Sequence, residues 1–398
     1  MKCLNINLPY SLSLVCLFLM AMNFEGLFVY FGLLALVILV MFNERINFRS
    51  FEFVLYLFLS ILMAFYEVGS GIGTLLMCAA YSGCFLIGAS LISQPKRSEA
   101  LPRAESFIKS IIVCLALGSF IHYALNFSLA IGSSSARNTV DIWTGGVLAA
   151  TGQATLCVLM AACCCCYLMY ATKKNQRVIA LAILIVIMAY NAILAGRSLF
   201  LIIAITLFVG FVFLAVNQVD ILKPVAVFAV IVVLAFLALT FDVMGIQTWL
   251  MNSNLGNRLA EMQGSLLETE RTETKMLFLM HFFDYPFGGA HLSDRYGGYA
   301  HDLLLDAYDV YGILALAVLI GIIVCAIKNL WVCVSSKSLS FDVRILLVCV
   351  YTVLFAQFCL EPILAGAPWL FACFCVLNGC LRGLRSEIAR EEKMQLEH

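Results

Sequence analysis

The chain has 398 residues, 63% of them hydrophobic and only 12% charged, and its 24 basic residues are balanced by 24 acidic ones. A soluble domain carries about 25% charged residues, so this composition excludes one, and the neutral balance offers nothing to attract a nucleic acid. Apolar runs of the roughly 20 residues a helix needs to cross a bilayer recur from end to end, where a β-barrel would show short alternating segments.

The expected fold is therefore an all-α integral membrane protein of about twelve transmembrane helices, a single polytopic domain over residues 1–395. In chain order the spans are read at 8–23, 26–42, 52–66, 72–93, 106–124, 146–170, 178–194, 198–216, 222–243, 303–327, 343–360 and 366–381. The first two are joined by the tight turn Asn23-Phe24-Glu25-Gly26. The first run lacks a small-residue cleavage site and leads straight into the second, which reads as a span and not as a signal peptide. Leu396-Glu397-His398 resembles a purification-tag remnant and carries no weight here.

Basic residues collect on the cytoplasmic side of a membrane. With the N-terminus inside, only six of the 24 Lys and Arg fall on the outer side: Arg137, Arg197, Arg258, Arg271, Lys275 and Arg295. An even span count also returns the basic tail from Arg382 to Lys393 to the inside, so both termini are expected in the cytoplasm. The 17 cysteines lie mostly within spans and show no zinc-type spacing, so neither a metal nor a cofactor is expected.

One connection is long. Residues 244–302 form an outward loop between spans nine and ten, with amphipathic stretches at Ile246–Met251 and Leu266–Phe283 suited to short interfacial helices. Its four basic residues (Arg258, Arg271, Lys275, Arg295) are outnumbered by seven acidic ones (Glu261, Glu268, Glu270, Glu273, Asp284, Asp294, Asp302). A general attraction for anionic polymers is thus excluded. Any anion must be gripped locally by placed arginines, as a diphosphate is by guanidinium forks. Arg197, in the tight link Ala195-Gly196-Arg197-Ser198, and Arg271 are the first candidates, followed by Arg137 and Arg258.

The loop enters span ten through His301 and Asp302. Asp302, Asp306 and Asp309 are spaced i, i+4, i+7 and form an acidic stripe about 10 Å long, which must face the protein interior or a wet cavity. His301, at the mouth of that helix, is the side chain suited to proton transfer. His122, His281 and His291 read as ordinary loop histidines.

Gly196-Arg197-Ser198, then Arg271 followed by Pro286 and Gly288-Gly289, then His301 with Gly312 eleven positions later, resemble in order the elements of the O-antigen ligase/polymerase family. In that family the residue after the histidine is Asn, and here it is Asp302. The resemblance covers residues 130–320. It implies a metal-independent glycosyltransferase of the bacterial inner membrane with its site facing the periplasm. The donor would be a glycan on undecaprenyl diphosphate, and the acceptor lipid A–core (a ligase) or a second lipid-linked repeat unit (a polymerase). His301, Arg197 and Arg271 take the catalytic roles in this reading, and Arg137, Arg258, Asp302, Asp306 and Asp309 bind substrate. The partners beyond donor and acceptor are membrane lipids, and the sequence carries no signal for an oligomeric state. A lipid-linked sugar transporter is the reading from another class. It needs a polar route to the cytoplasmic side, and the sequence offers none.

Overall fold

A computed structural model describes residues 8–42, 48, 50–93, 100–130, 138–171, 173–194, 196–217 and 270–397. The expected ninth span, loop residues 244–269, and Arg137 and Arg258 lie outside the described residues.

The described helices, numbered in chain order, are α1 (Leu8–Ala21), α2 (Phe28–Met41), α3 (Phe51–Tyr66), α4 (Ile72–Ile92), α5 (Ala100–Ala130), α6 (Ala150–Tyr170), α7 (Lys174–Ile193) and α8 (Ser198–Val216). They continue as α9 (Glu270–Met280), α10 (His291–Tyr296), α11 (Leu303–Ser335), α12 (Phe341–Phe358), α13 (Ile363–Gly366) and α14 (Pro368–Glu397). Among the described residues, seven helices are long and apolar enough to cross a membrane: α4 to α8, α11 and α12. This is the architecture of an all-α multi-pass membrane protein. Helices α1, α2 and α3 are as apolar but have only 14, 14 and 16 residues. At 1.5 Å per residue they fall short of the roughly 30 Å hydrocarbon core.

The chain divides into two compact units. The first holds the described residues within 1–119, 270–344 and 358–398, and the second those within 120–269 and 345–357. In the first, Ser50 caps α3 by accepting the Phe53 N–H at 3.1 Å. Helices α4 and α14 meet backbone to backbone. A Cβ on Gly88 would lie 1.9 Å from the Val376 carbonyl oxygen, and one on Gly379 2.0 Å from that of Phe85. Apolar helices in lipid gain no hydrophobic drive from pairing, so such small-residue contact supplies the dispersion energy instead.

The second unit is built on α6, which is buried along most of its length, the run Cys163-Cys164-Cys165-Cys166 included. Side-chain hydrogen bonds run through its interior: Gln357 Nε2 donates to Thr155 Oγ1 at 2.6 Å and Asn191 Nδ2 to the Tyr123 hydroxyl at 3.1 Å. A small antiparallel hairpin, β1 (Asn138–Val140) with β2 (Val147–Ala149), precedes α6. It corrects the expected sixth span, which begins at Ala150 and not at 146. The physical reason lies at the turn, where the Asp141 carboxylate accepts the Trp143 and Thr144 N–H groups, each at 2.9 Å. Gly145 then adopts φ +66°, and the chain reverses before the helix can start.

Candidate active site

The described half of the long loop folds against the start of α11. Helix α11 is broken at Gly312, with φ +77° and ψ −177°. A helix break orphans backbone groups, and here the loop satisfies them. Gly289 N–H donates to the Val310 carbonyl at 3.0 Å, Ala290 N–H to that of Asp309 at 2.8 Å, and Ile313 N–H to that of Pro286 at 2.9 Å. The approach is so close that a Cβ on Gly288 would lie 2.6 Å from Gly312 N, and one on Gly312 2.8 Å from the Phe287 carbonyl carbon. The Pro286-Phe287-Gly288-Gly289 element and Gly312 are therefore two halves of one backbone interlock. Phe278, Leu292, Ala300 and Tyr308 form the small apolar core beneath it.

The acidic stripe holds the same structure together. Asp302 is the N-cap of α11 and accepts the Leu304 and Leu305 N–H groups at 3.0 and 3.3 Å. A cap needs only an acceptor oxygen, which Asp and Asn both supply. Asp306 is buried and accepts the Ala300 N–H at 2.8 Å and the Asp302 N–H at 3.1 Å. Asp309, also buried, accepts those of Leu292 and Ser293 at 2.8 and 3.1 Å. The inward orientation expected for the stripe holds at Asp306 and Asp309, and both carboxylates spend their oxygens on loop backbone.

On α9, Arg271 and Lys275 stand one turn apart. Arg271 Nη1 donates to the Leu360 carbonyl at 3.0 Å and to Glu361 Oε1 at 3.1 Å. Lys275 Nζ donates to the Cys359 carbonyl at 2.6 Å and lies 3.7 Å from Asp302 Oδ2. The acceptors are the residues just past the C-terminal end of α12, where unpaired carbonyls favour cations. Glu361 is only 4% exposed, and a carboxylate that buried requires such a partner.

His301 sits beside this cluster with φ +54°, an uncommon conformation for a residue with a side chain. Its Nδ1 is buried and has no hydrogen-bond partner among the described residues. Burial, with the nearby charges of Arg271 and Lys275, pushes the imidazole down to about 4. The ring is therefore neutral at pH 7, with one nitrogen ready to accept.

Beside Tyr299 and Asp306 lies a cavity of about 570 Å³. Glu67, Asp294, Asp306, Tyr299 and Tyr311 line its polar wall, and Met77, Val310, Leu364 and Pro368 are among its apolar lining. The Tyr311 hydroxyl donates to Glu67 Oε1 at 3.3 Å.

His301, Arg271, Asp302, Asp306 and Asp309 thus come together within the first unit. Arg197 belongs to the second, between α7 and α8 and half-buried, where Gly196 N–H closes the link by donating to the Asn191 carbonyl at 2.8 Å. Arg137 and Arg258 lie outside the described residues.

Sequence reasoning left Glu361, Lys275 and Glu67 out of the site. A buried Glu beside Pro362 in an outward link was a signal for the first, but its pairing with Arg271 joins positions 90 apart. His281, in the turn after α9 and 2.8 Å from Asp284, fits the loop reading, whereas His291 opens α10 with its ring tilted against Tyr285. His122 corrects that reading as well. It is 1% exposed within α5, with Nε2 2.8 Å from Asp141 Oδ2. Burial works to raise the Asp141 carboxyl, but hydrogen bonds from His122, Thr144 and Trp143 outweigh it and hold the group well below the usual range.

The sequence matches no family model and no curated protein.

Proposed function

We propose that the protein transfers a glycan from undecaprenyl diphosphate to an acceptor hydroxyl at the periplasmic face of a bacterial inner membrane. In this reading the chain crosses the membrane about twelve times with both termini in the cytoplasm. The observation that carries the proposal is the gathering of Arg271, Lys275 and a neutral His301, whose buried Nδ1 has no partner among the described residues. The family resemblance of the same elements supports it.

The acceptor oxygen attacks the anomeric carbon as the bond from that carbon to the diphosphate oxygen breaks. The bonding electron pair leaves with undecaprenyl diphosphate, and the acceptor proton passes to His301. A base near pKa 4 is weak toward a free alcohol. It is adequate once the forming bond has acidified the O–H, which matches proton transfer late in the displacement. Arg271 and Lys275 stabilise the charge growing on the diphosphate, and the guanidinium keeps donors beyond the Nη1 contacts to Leu360 and Glu361. The resemblance assigns Arg197 to the same task, adds Arg137 and Arg258 as further candidates, and implies inversion by single displacement without a metal.

The favoured acceptor is lipid A–core, making the protein an O-antigen ligase. The alternative is a second lipid-linked repeat unit, making it a polymerase. The test is a reconstituted assay with glycan-loaded undecaprenyl diphosphate and the two acceptors offered separately. Product on lipid A–core alone establishes the ligase, and a ladder on the repeat unit alone the polymerase. No product with either sinks glycan transfer and returns weight to transport.

A further inference from the structure

The cavity lined by Tyr299 and Asp306 has a chemistry of its own. Its volume of about 570 Å³ lies within the roughly 300–1,000 Å³ typical of small-molecule sites. Three carboxylic side chains (Glu67, Asp294, Asp306) and two phenols (Tyr299, Tyr311) line it, with no Lys, Arg or His among the described lining residues. Such a wall accepts hydrogen bonds and repels anions, so the diphosphate has no place there. Among the same lining residues, Met77, Val310, Leu364 and Pro368 present apolar surface. A pyranose matches this lining, because its hydroxyls donate to the Glu67 and Asp294 carboxylates while its C–H faces lie on aromatic and aliphatic groups.

The cavity is also tied to His301. Asp306 lines it and at the same time accepts the N–H groups of Ala300 and Asp302, the two neighbours of the histidine. A sugar held there touches Tyr299, two residues before the histidine, and the Asp306 that fixes the peptides flanking it. We propose that this cavity is a glycan subsite that takes neutral or amino-bearing sugars and rejects acidic ones. The inference rests on the glycan-transfer reading and names the sugar class for it. Glu67 and Asp294 supply the discrimination: Asp294 is exposed at the rim and Glu67 is half-buried and bonded to Tyr311.

The test measures binding directly, without donor or turnover. Full-length protein in detergent is titrated with N,N′-diacetylchitobiose, and separately with a disaccharide of similar size carrying one uronic acid, each followed by saturation-transfer NMR. The neutral sugar is expected to bind with a Kd at least about tenfold lower than the acidic one. The double variant Glu67→Gln with Asp294→Asn keeps the hydrogen-bonding groups and removes two charges. It is expected to narrow that ratio to about threefold or less. Thermal unfolding shows whether the variant is folded, and Asp294→Asn alone serves if the double is not.

Equal or tighter binding of the acidic sugar overturns the inference. So does the absence of neutral-sugar binding, or a lipid acyl chain found cross-linked to Met77 and Leu364 that the sugar does not displace. Sugar binding with no transfer in the reconstituted assay would leave the subsite standing and remove the proposed reaction. Transfer that favours acidic acceptors would do the reverse.

Discussion

Asp306 holds His301 by its neighbours. The carboxylate accepts the N–H of Ala300 at 2.8 Å and of Asp302 at 3.1 Å, clamping the peptides on either side of a histidine held at φ +54°. A positive φ on such a residue costs on the order of 1–3 kcal/mol and persists only where its surroundings enforce it. Two hydrogen bonds, at about 0.5–1.5 kcal/mol each, together with the cost of about 1–3 kcal/mol for leaving either buried donor unmet, are enough to enforce it.

Asp306→Ala should therefore release the Tyr299–Asp302 segment. The expected cost is about 2–4 kcal/mol of stability, since two backbone donors lose their acceptor. Transfer should fall by more than about tenfold, because a misplaced base loses its reach. Asp306→Asn keeps an acceptor oxygen and should lie between. Thermal unfolding, with hydrogen exchange at Ala300 and Asp302, reads the outcome. Unchanged exchange in Asp306→Ala would show that the clamp is not what holds the loop.

The interlock at Gly312 should be intolerant of a side chain. Gly312→Ala sets a Cβ about 2.8 Å from the Phe287 carbonyl carbon at φ +77°, and neither backbone can retreat without losing the bonds that bridge the break. The expected result is little folded protein in detergent. The fold should tolerate Gly297→Ala better, where the same left-handed φ meets no atom within 4 Å. Size-exclusion profiles of the two variants make the comparison.

Arg271 has a structural and a chemical task, and paired substitution separates them. Arg271→Gln removes the cation paired with the buried Glu361, and the half-exposed arginine limits the loss to about 1–2 kcal/mol. Adding Glu361→Gln should restore the unfolding temperature without restoring transfer. Recovery of both would make Arg271 a structural residue only.

The pH response follows from His301. Its pKa is lowered from about 6.5 to about 4, so between those values the unfolded chain binds the proton that the folded one refuses. The histidine's contribution to stability is therefore lost as pH falls through that window and is whole above it. The acid limb of transfer should bend near pH 4–5, well below 6.5. Arg271→Gln removes one of the charges that lower it and should move the bend upward. A wild-type bend at 6.5 would contradict the environment described for the ring.

The positions of seven spans were legible in the sequence because each rests on a contiguous apolar run. Seven apolar helices stand where the runs predict, α8 with the same bounds. Turn chemistry was harder to read. Val147 to Ala149 continue an apolar run by composition, and only the Asp141 turn makes them a strand. The spacing of Asp302, Asp306 and Asp309 revealed a shared face. It did not reveal that backbone N–H groups would occupy their oxygens, since those donors come from a loop with no pattern of its own. Pairings such as Arg271 with Glu361, or Gly288 with Gly312, join positions far apart, and one sequence does not encode partners at a distance.

The most direct test of the central claim is glycan transfer in proteoliposomes containing glycan-loaded undecaprenyl diphosphate and lipid A–core, comparing wild type with His301→Ala and Arg271→Lys. The account predicts product and stoichiometric undecaprenyl diphosphate for the wild type. It predicts a loss of at least about a hundredfold for His301→Ala, in the range of a general base, and a large loss for Arg271→Lys, because a point charge does not replace a planar fork. Wild-type rates in both folded variants would contradict it.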